Sequence, residues 1–156
     1  NWVFFRNQKF GAVADGGGAA TSSNIQGYMN QLWLRCCRGA DKPDLIITDN
    51  NYFNLYWQSL QAIQRITSDG QGQAGFSSLK YMSADVVFDG GIGGGCPANH
   101  MYFLNTDFLE LVADQDANME IMPELRSVNQ DAIVIPILFQ GNLAVSNRSL
   151  QGVLKA

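Results

Sequence analysis

The chain has 156 residues, a formal net charge of −4 at pH 7, 46% apolar residues and 15% charged ones. That length and apolar share exclude an intrinsically disordered chain and allow one domain with its own core. Net negative charge excludes a sequence-independent nucleic-acid binder, which needs clustered cations to displace counterions. There is no run of about 18 apolar residues, so no helical membrane span is predicted. The low charge points to surface meant to be covered by other protein.

The chain opens at Asn1 inside an apolar run, as a fragment or a chain lacking its start would. Residues 2–5 read as a strand that residues 10–13 continue across a turn. Asp15-Gly16-Gly17-Gly18 and the small residues after it form a connector ending in Ser22 or Ser23 as a helix N-cap. A glycine loop before a helix can hold phosphate, but this one has no lysine, and Asp15 would repel the ligand.

A helix is predicted over residues 24–38. Ile25, Tyr28, Met29, Leu32, Trp33 and Cys36 make one apolar stripe at helical period. Arg35 and Arg38 suit its C-terminal dipole, and Gly39 suits the C′ position. Pro43 bars continuation and sets up the strand Leu45, Ile46, Ile47, Thr48. An aromatic helix follows at once, carrying Tyr52, Phe53, Tyr56, Trp57, Leu60 and Ile63 and fading at residues 65–67. A strand turning directly into a helix opens an α/β unit. No glycine lies in that turn, so Asp49 (or Thr48) is read as a helix cap and not as part of a phosphate site.

Residues 68–75 are polar and glycine-rich, and are expected to be exposed and mobile. From Phe76 the pattern is β, with Leu79 and Tyr81 alternating with polar residues and a strand at 85–88. The second glycine loop, residues 89–97, is also expected to be mobile. It reads as a hairpin-type connection to the strand Met101, Tyr102, Phe103, Leu104. Residues 106–113 fit either a short helix or a strand. Asp114, Asp116 and Asn118 imitate the start of a calcium loop, but Met119 stands where glycine is needed and Leu125 where glutamate is. Residues 132–145 form a long extended apolar run, marked by Pro136 as an edge or bulge and interrupted by Gly141-Asn142. A last strand is predicted at 149–154.

Chemistry-bearing residues do not converge. His100 is the one histidine, and no Gly-x-Ser-x-Gly turn accompanies it. Glu110, Glu120 and Glu124 lie in one region without acid/base spacing. Asn147-Arg148-Ser149 is a glycosylation triplet without a secretory context. Cys36, Cys37 and Cys96 are odd in number and fit no zinc spacing; they read as free thiols of a protein made in a reducing cytoplasm. No catalytic, cofactor-binding or metal-binding residue is predicted, and the chain is not read as an enzyme.

An ordered series of phrases does resemble a known family. Leu32-Trp33-Leu34 runs into Cys37-Arg38-Gly39-Ala40-Asp41-Lys42-Pro43-Asp44-Leu45-Ile46-Ile47-Thr48-Asp49. Ser59-Leu60-Gln61, Gln64-Arg65, Gly75-Phe76, Leu79-Lys80-Tyr81 and Met101-Tyr102-Phe103-Leu104-Asn105 follow. Asn142-Leu143 and Ser146-Asn147-Arg148-Ser149-Leu150-Gln151-Gly152 complete it. The series resembles the C-terminal half of tailed-phage and prophage major capsid proteins of the HK97-type fold.

The resemblance implies an α+β (mixed α/β) fold. Residues 1–22 would be an N-terminal strand and connector, 23–42 and 128–156 part of the peripheral domain, and 43–127 the axial domain. It implies a structural subunit that meets copies of itself in pentamers and hexamers of an icosahedral shell, with other capsid or scaffold proteins. Packaged DNA would be held only loosely, and no membrane or cofactor is involved. The place would be the virion, and the host cytoplasm during assembly. The clasping N-terminal arm and extended loop of that family lie upstream, so the isolated chain is expected to be a monomer or small oligomer. Two alternatives stand beside it: a small α/β nucleotide- or phosphate-binding domain using a glycine-rich loop, and a nanocompartment shell protein of the same fold.

Overall fold

The computed structural model describes residues 3–63, 78–90, 94–126, 131 and 133–156. The loop expected to be mobile at 68–75 lies outside the described residues, as does the centre of the 89–97 loop. The chain divides into two compact units, Asn1–Thr106 with Asn147–Ala156, and Asp107–Ser146.

The first unit is a six-stranded mixed sheet with two helices. Its strands are β1 (Gln8–Gly11), β2 (Leu45–Thr48), β3 (Ser78–Tyr81), β4 (Ala84–Phe88), β5 (His100–Leu104) and the late strand β10 (Gly152–Lys155). They lie in the order β1-β10-β5-β2-β4-β3. β2 runs parallel to β4 and antiparallel to β5, and β1 runs parallel to β10. The glycine loop at 89–97 is therefore not a hairpin connection. The apolar β2 sits between β4 and β5, so these two strands are not paired neighbours. The run at 2–5 is also not a strand: Val3–Phe5 is a 3-10 turn, and the edge strand is the more polar Gln8–Gly11.

Helix α1 (Ile25–Cys36) buries the six residues of its predicted stripe. Its ends differ from expectation. Asn24 is the N-cap residue, and its Oδ1 turns back to accept the Thr21 N–H at 2.6 Å; neither serine caps the helix. The C-terminus comes at Cys36, because Cys37 is already extended and Arg38 pairs with Asp41 through the backbone. Gly39, at φ +64°, serves that tight turn. Helix α2 (Asn50–Ile63) buries Tyr52, Phe53, Tyr56 and Ser59.

Both helices belong to one core with the sheet, which includes Phe10, Ile46, Val86, Met101, Phe103 and Leu154. Trp33, Tyr81, Phe103 and Tyr56 meet edge-on at its centre. The approach of α1 to β10 depends on Gly152: a Cβ there would lie 2.5 Å from Cys36 Sγ.

Burial leaves a pH signature. It pushes the Cys36 thiol and the Tyr56 phenol each up to about 12, and the Tyr81 phenol higher than its ordinary value. Each group holds its proton more tightly folded than unfolded. Their contribution is complete below the ordinary thiol and phenol range, near pH 9–10, and is lost as pH rises toward about 12. Denaturant midpoints measured from pH 8 to pH 11.5 are expected to fall steadily above about pH 9.5; a flat profile would contradict this packing.

The second unit is β-ribbon. β6 (Leu109–Ile121) pairs antiparallel with β9 (Ile137–Val145), and β7 (Leu125–Arg126) with β8 (Ile133–Val134). The stretch that fitted helix or strand begins as a 3-10 turn at Thr106–Phe108 and becomes β6. Pro136 falls between β8 and β9, as an edge marker should. The final strand starts later than predicted, since Arg148–Leu150 is a 3-10 turn held by Asn147 Oδ1, which accepts the Ser149 N–H at 3.1 Å.

Candidate functional site

In a mixed α/β sheet the place to look first is the carboxyl end of neighbouring parallel strands. Beyond β2 and β4 there is a cavity of about 250 Å³ lined by Asp49, Asn50, Asn51, Gly90, Cys96 and Ala98. Asp49 is 5% exposed. Its carboxylate accepts the N–H groups of Tyr52 at 3.1 Å, Asn51 at 3.3 Å and Asn99 at 2.8 Å. Two of these cap α2, as predicted, and the third ties the residue before β5 to the helix start. Sequence reasoning missed Asn99. Its φ of +56° places its N–H toward Asp49, a conformation that asparagine tolerates better than most residues.

The other reactive groups nearby are set against chemistry. Burial and the Asp49 and Asp89 carboxylates push the Cys96 thiol up to about 11. A thiol nucleophile requires the opposite shift. His100 Nδ1 lies 2.9 Å from the Ala98 carbonyl, and its ring stacks with Tyr102. Among the described residues no group of three or more His, Cys, Asp or Glu could hold a metal. Asp114, Asp116 and Asn118 lie on the irregular part of β6, where Asp116 N–H turns back to Asp114.

Particular residues of the glycine loops are held by close packing or hydrogen bonds. A Cβ at Gly16 would lie 2.5 Å from the Tyr28 ring, and the Tyr28 hydroxyl donates to the Gly16 and Gly18 carbonyls. The Asp15 carboxylate accepts the Gly11 N–H at 2.8 Å. The backbone of this loop thus already has an acid and a phenol as partners. Gly90 sits against α2, where a Cβ would lie 2.6 Å from Asn50 N. In the 89–97 loop, Asp89 accepts from Gly95 and Cys96, so its described residues form a hydrogen-bonded turn. Of the cysteines, Cys36 is buried and Cys37 half-buried, and all three are free.

The larger anomaly is surface. In the ribbon unit Leu111, Ile121, Ile137 and Leu143 are 60–70% exposed, and every residue of β9 is exposed. A two-stranded ribbon is marginal in water without a third strand or a packed face, and contiguous exposed apolar surface marks an interaction site. The sequence carried a signal for this: residues 132–145 are apolar without period 2, so neither face is the wet one. On the six-stranded sheet, the face away from the helices carries half-buried Leu45, Ile47, Val87, Tyr102, Leu104 and Val153. Among the described residues no helix is long and apolar enough to cross a membrane.

No protein-family profile matches the chain, and no curated protein does. Solved structures do. The holo-SrpI encapsulin complex from Synechococcus elongatus PCC 7942 matches with a TM-score of 0.57 at 11% identity, over 95% of this chain and 52% of that one. A virus-like particle from Pyrococcus furiosus matches with a TM-score of 0.51 at 13% identity, over 96% of this chain and 56% of that one. The chain thus spans about half the length of these proteins. At such identities the likeness is one of fold, and the fold is the mixed α/β, HK97-like shell-protein fold.

Proposed function

We propose that a chain of this fold, with this exposed ribbon, is a subunit of a closed protein shell that encloses cargo in the cytoplasm of the cell that makes it. Its role is structural: repeated copies meet in pentamers and hexamers, and many modest interfaces close a symmetric container. The observation that carries the reading is the ribbon unit, most of whose large apolar side chains are exposed among the described residues. Neighbouring subunits supply the missing cover. The low charge of the whole chain fits the same requirement. The likeness to an encapsulin supports the compartment reading, and the likeness to a virus-like particle supports a closed shell. The resemblance of the sequence to tailed-phage capsid proteins keeps a phage or prophage shell as the second reading.

Particles containing this chain, captured by antibody from the producing cells and imaged by electron microscopy, are expected to be closed shells. A shell without nuclease-protected DNA fits the compartment, and a genome-length protected DNA moves the assignment to a phage capsid. A chain that migrates only as a monomer in native extract overturns both.

A further inference from the structure

Strands β6 and β9 make an asymmetric ribbon. β6 carries Glu110, Asp114, Asp116 and Glu120, and both register shifts of the pair place their extra residues on it. Charges and bulges are the usual guards of an open sheet edge. β9, with the sequence Ile-Leu-Phe-Gln-Gly-Asn-Leu-Ala-Val, has no charge and no proline, and each of its nine residues is at least partly open to solvent. Among the described residues it is paired on one side only.

The direction of its free backbone groups follows from the two ends of the ribbon. Ser146 N–H donates to the Phe108 carbonyl at 3.1 Å, and Met122 N–H donates to the Pro136 carbonyl at 2.9 Å. Antiparallel pairing alternates, so the even-numbered residues of β9 face β6. The outward N–H and C=O groups therefore belong to Ile137, Phe139, Gly141, Leu143 and Val145.

The strand also reads nearly the same in both directions about Gly141. Ile137 mirrors Val145, Leu138 mirrors Ala144, Phe139 mirrors Leu143 and Gln140 mirrors Asn142. We infer that β9 pairs antiparallel with β9 of a second copy of this chain, centred on Gly141, joining two ribbons into one four-stranded sheet about a two-fold axis. In that register the outward groups face outward groups, giving about ten backbone hydrogen bonds along about 30 Å of strand. Phe139 meets the second copy's Leu143, Ile137 meets its Val145, and the two amides Gln140 and Asn142 meet. Such β-branched and aromatic pairs are the favourable cross-strand ones. Pairing through β6 would instead set carboxylate strand against carboxylate strand. Charge therefore selects β9 as the edge for a second copy. This deepens the shell reading by naming one of its contacts.

The test uses the full chain with Phe139→Cys and Leu143→Cys together. Hydrogen-bonded antiparallel partners have Cα atoms about 5.5 Å apart, within disulfide range. Mild oxidation is expected to give a covalent dimer on a non-reducing gel. Neither single variant should do so, because each cysteine would lie about 14 Å from its own copy; the native chain is the control for its three thiols. Leu143→Pro removes an outward N–H while leaving the bonds to β6. It is expected to shift the chain from dimer to monomer in sedimentation, with the far-ultraviolet dichroism retained. No crosslink in the double variant, or an unchanged dimer with Leu143→Pro, overturns the β9 contact. Closed shells without the crosslink would retain the shell reading and remove this contact. A crosslinked dimer from cells that contain no shell would do the reverse.

Discussion

Trp33→Ala is expected to lower the unfolding free energy by about 3–5 kcal/mol. Trp33 is 5% exposed on the sheet-facing side of α1. Its ring stands edge-on to Tyr81 at 5.6 Å and to Phe103 at 6.4 Å, so it joins the helix to β3 and to β5 at once. Truncation removes the largest apolar side chain of the residue set and opens a cavity that two rigid aromatic neighbours cannot close. The effect sums a lost transfer term and a cavity term, which is why it exceeds the cost of a deleted leucine methyl group several-fold. Equilibrium denaturation by guanidinium, followed by far-ultraviolet dichroism, measures it. Trp33→Phe, which keeps the ring-edge contacts, should recover more than half of the loss. A loss below about 1 kcal/mol would mean that α1 does not seat on the sheet through this residue.

Asp49→Ala is expected to cost about 2–3 kcal/mol, more than an ordinary cap deletion. A simple N-cap serves one or two helix N–H groups at the surface. Asp49 is buried, and serves two in α2 and a third, from Asn99, on a different segment. Alanine would leave those donors without an acceptor in a poorly solvated site, and the β4–β5 crossover would lose its tie to the helix. Asp49→Asn keeps an acceptor oxygen and should recover part of the stability. Chemical denaturation of the three proteins at pH 7 separates these outcomes. Equal stability of the alanine variant and the native chain would contradict the cap geometry.

The first unit was legible where periodicity and capping chemistry agree. The α1 stripe from Ile25 to Cys36 and the strand-to-helix step at Thr48–Asp49 needed only local information, and both stand. Register between strands was not legible, because it depends on partners distant in sequence. Nothing local in residues 89–97 says that β2 will lie between β4 and β5. The glycines misled for the same reason. Gly16, Gly90 and Gly152 are required by close approach of Tyr28, Asn50 and Cys36, which a local reading takes for looseness. The ends of α1 were decided by competing hydrogen bonds, Asn24 turning back to Thr21 and Arg38 pairing with Asp41. The ribbon was legible as an apolar strand without a wet face, but hydrophobicity alone does not say whether its cover comes from the same chain.

The pairing of β1 with β10 joins Gln8 to Gly152, and through it nearly the whole length of the chain. During synthesis, β1 must wait for β10 to leave the ribosome before it gains this neighbour on the sheet. The sheet cannot complete this edge before β10 is made, whereas the ribbon, whose strands are near in sequence and precede β10, can pair earlier. Long-range pairing of this kind is slow, because loop entropy is lost before contacts compensate. The surface under α1, where Gly152 lies against Cys36 and Leu32, is therefore completed only when β10 joins the sheet.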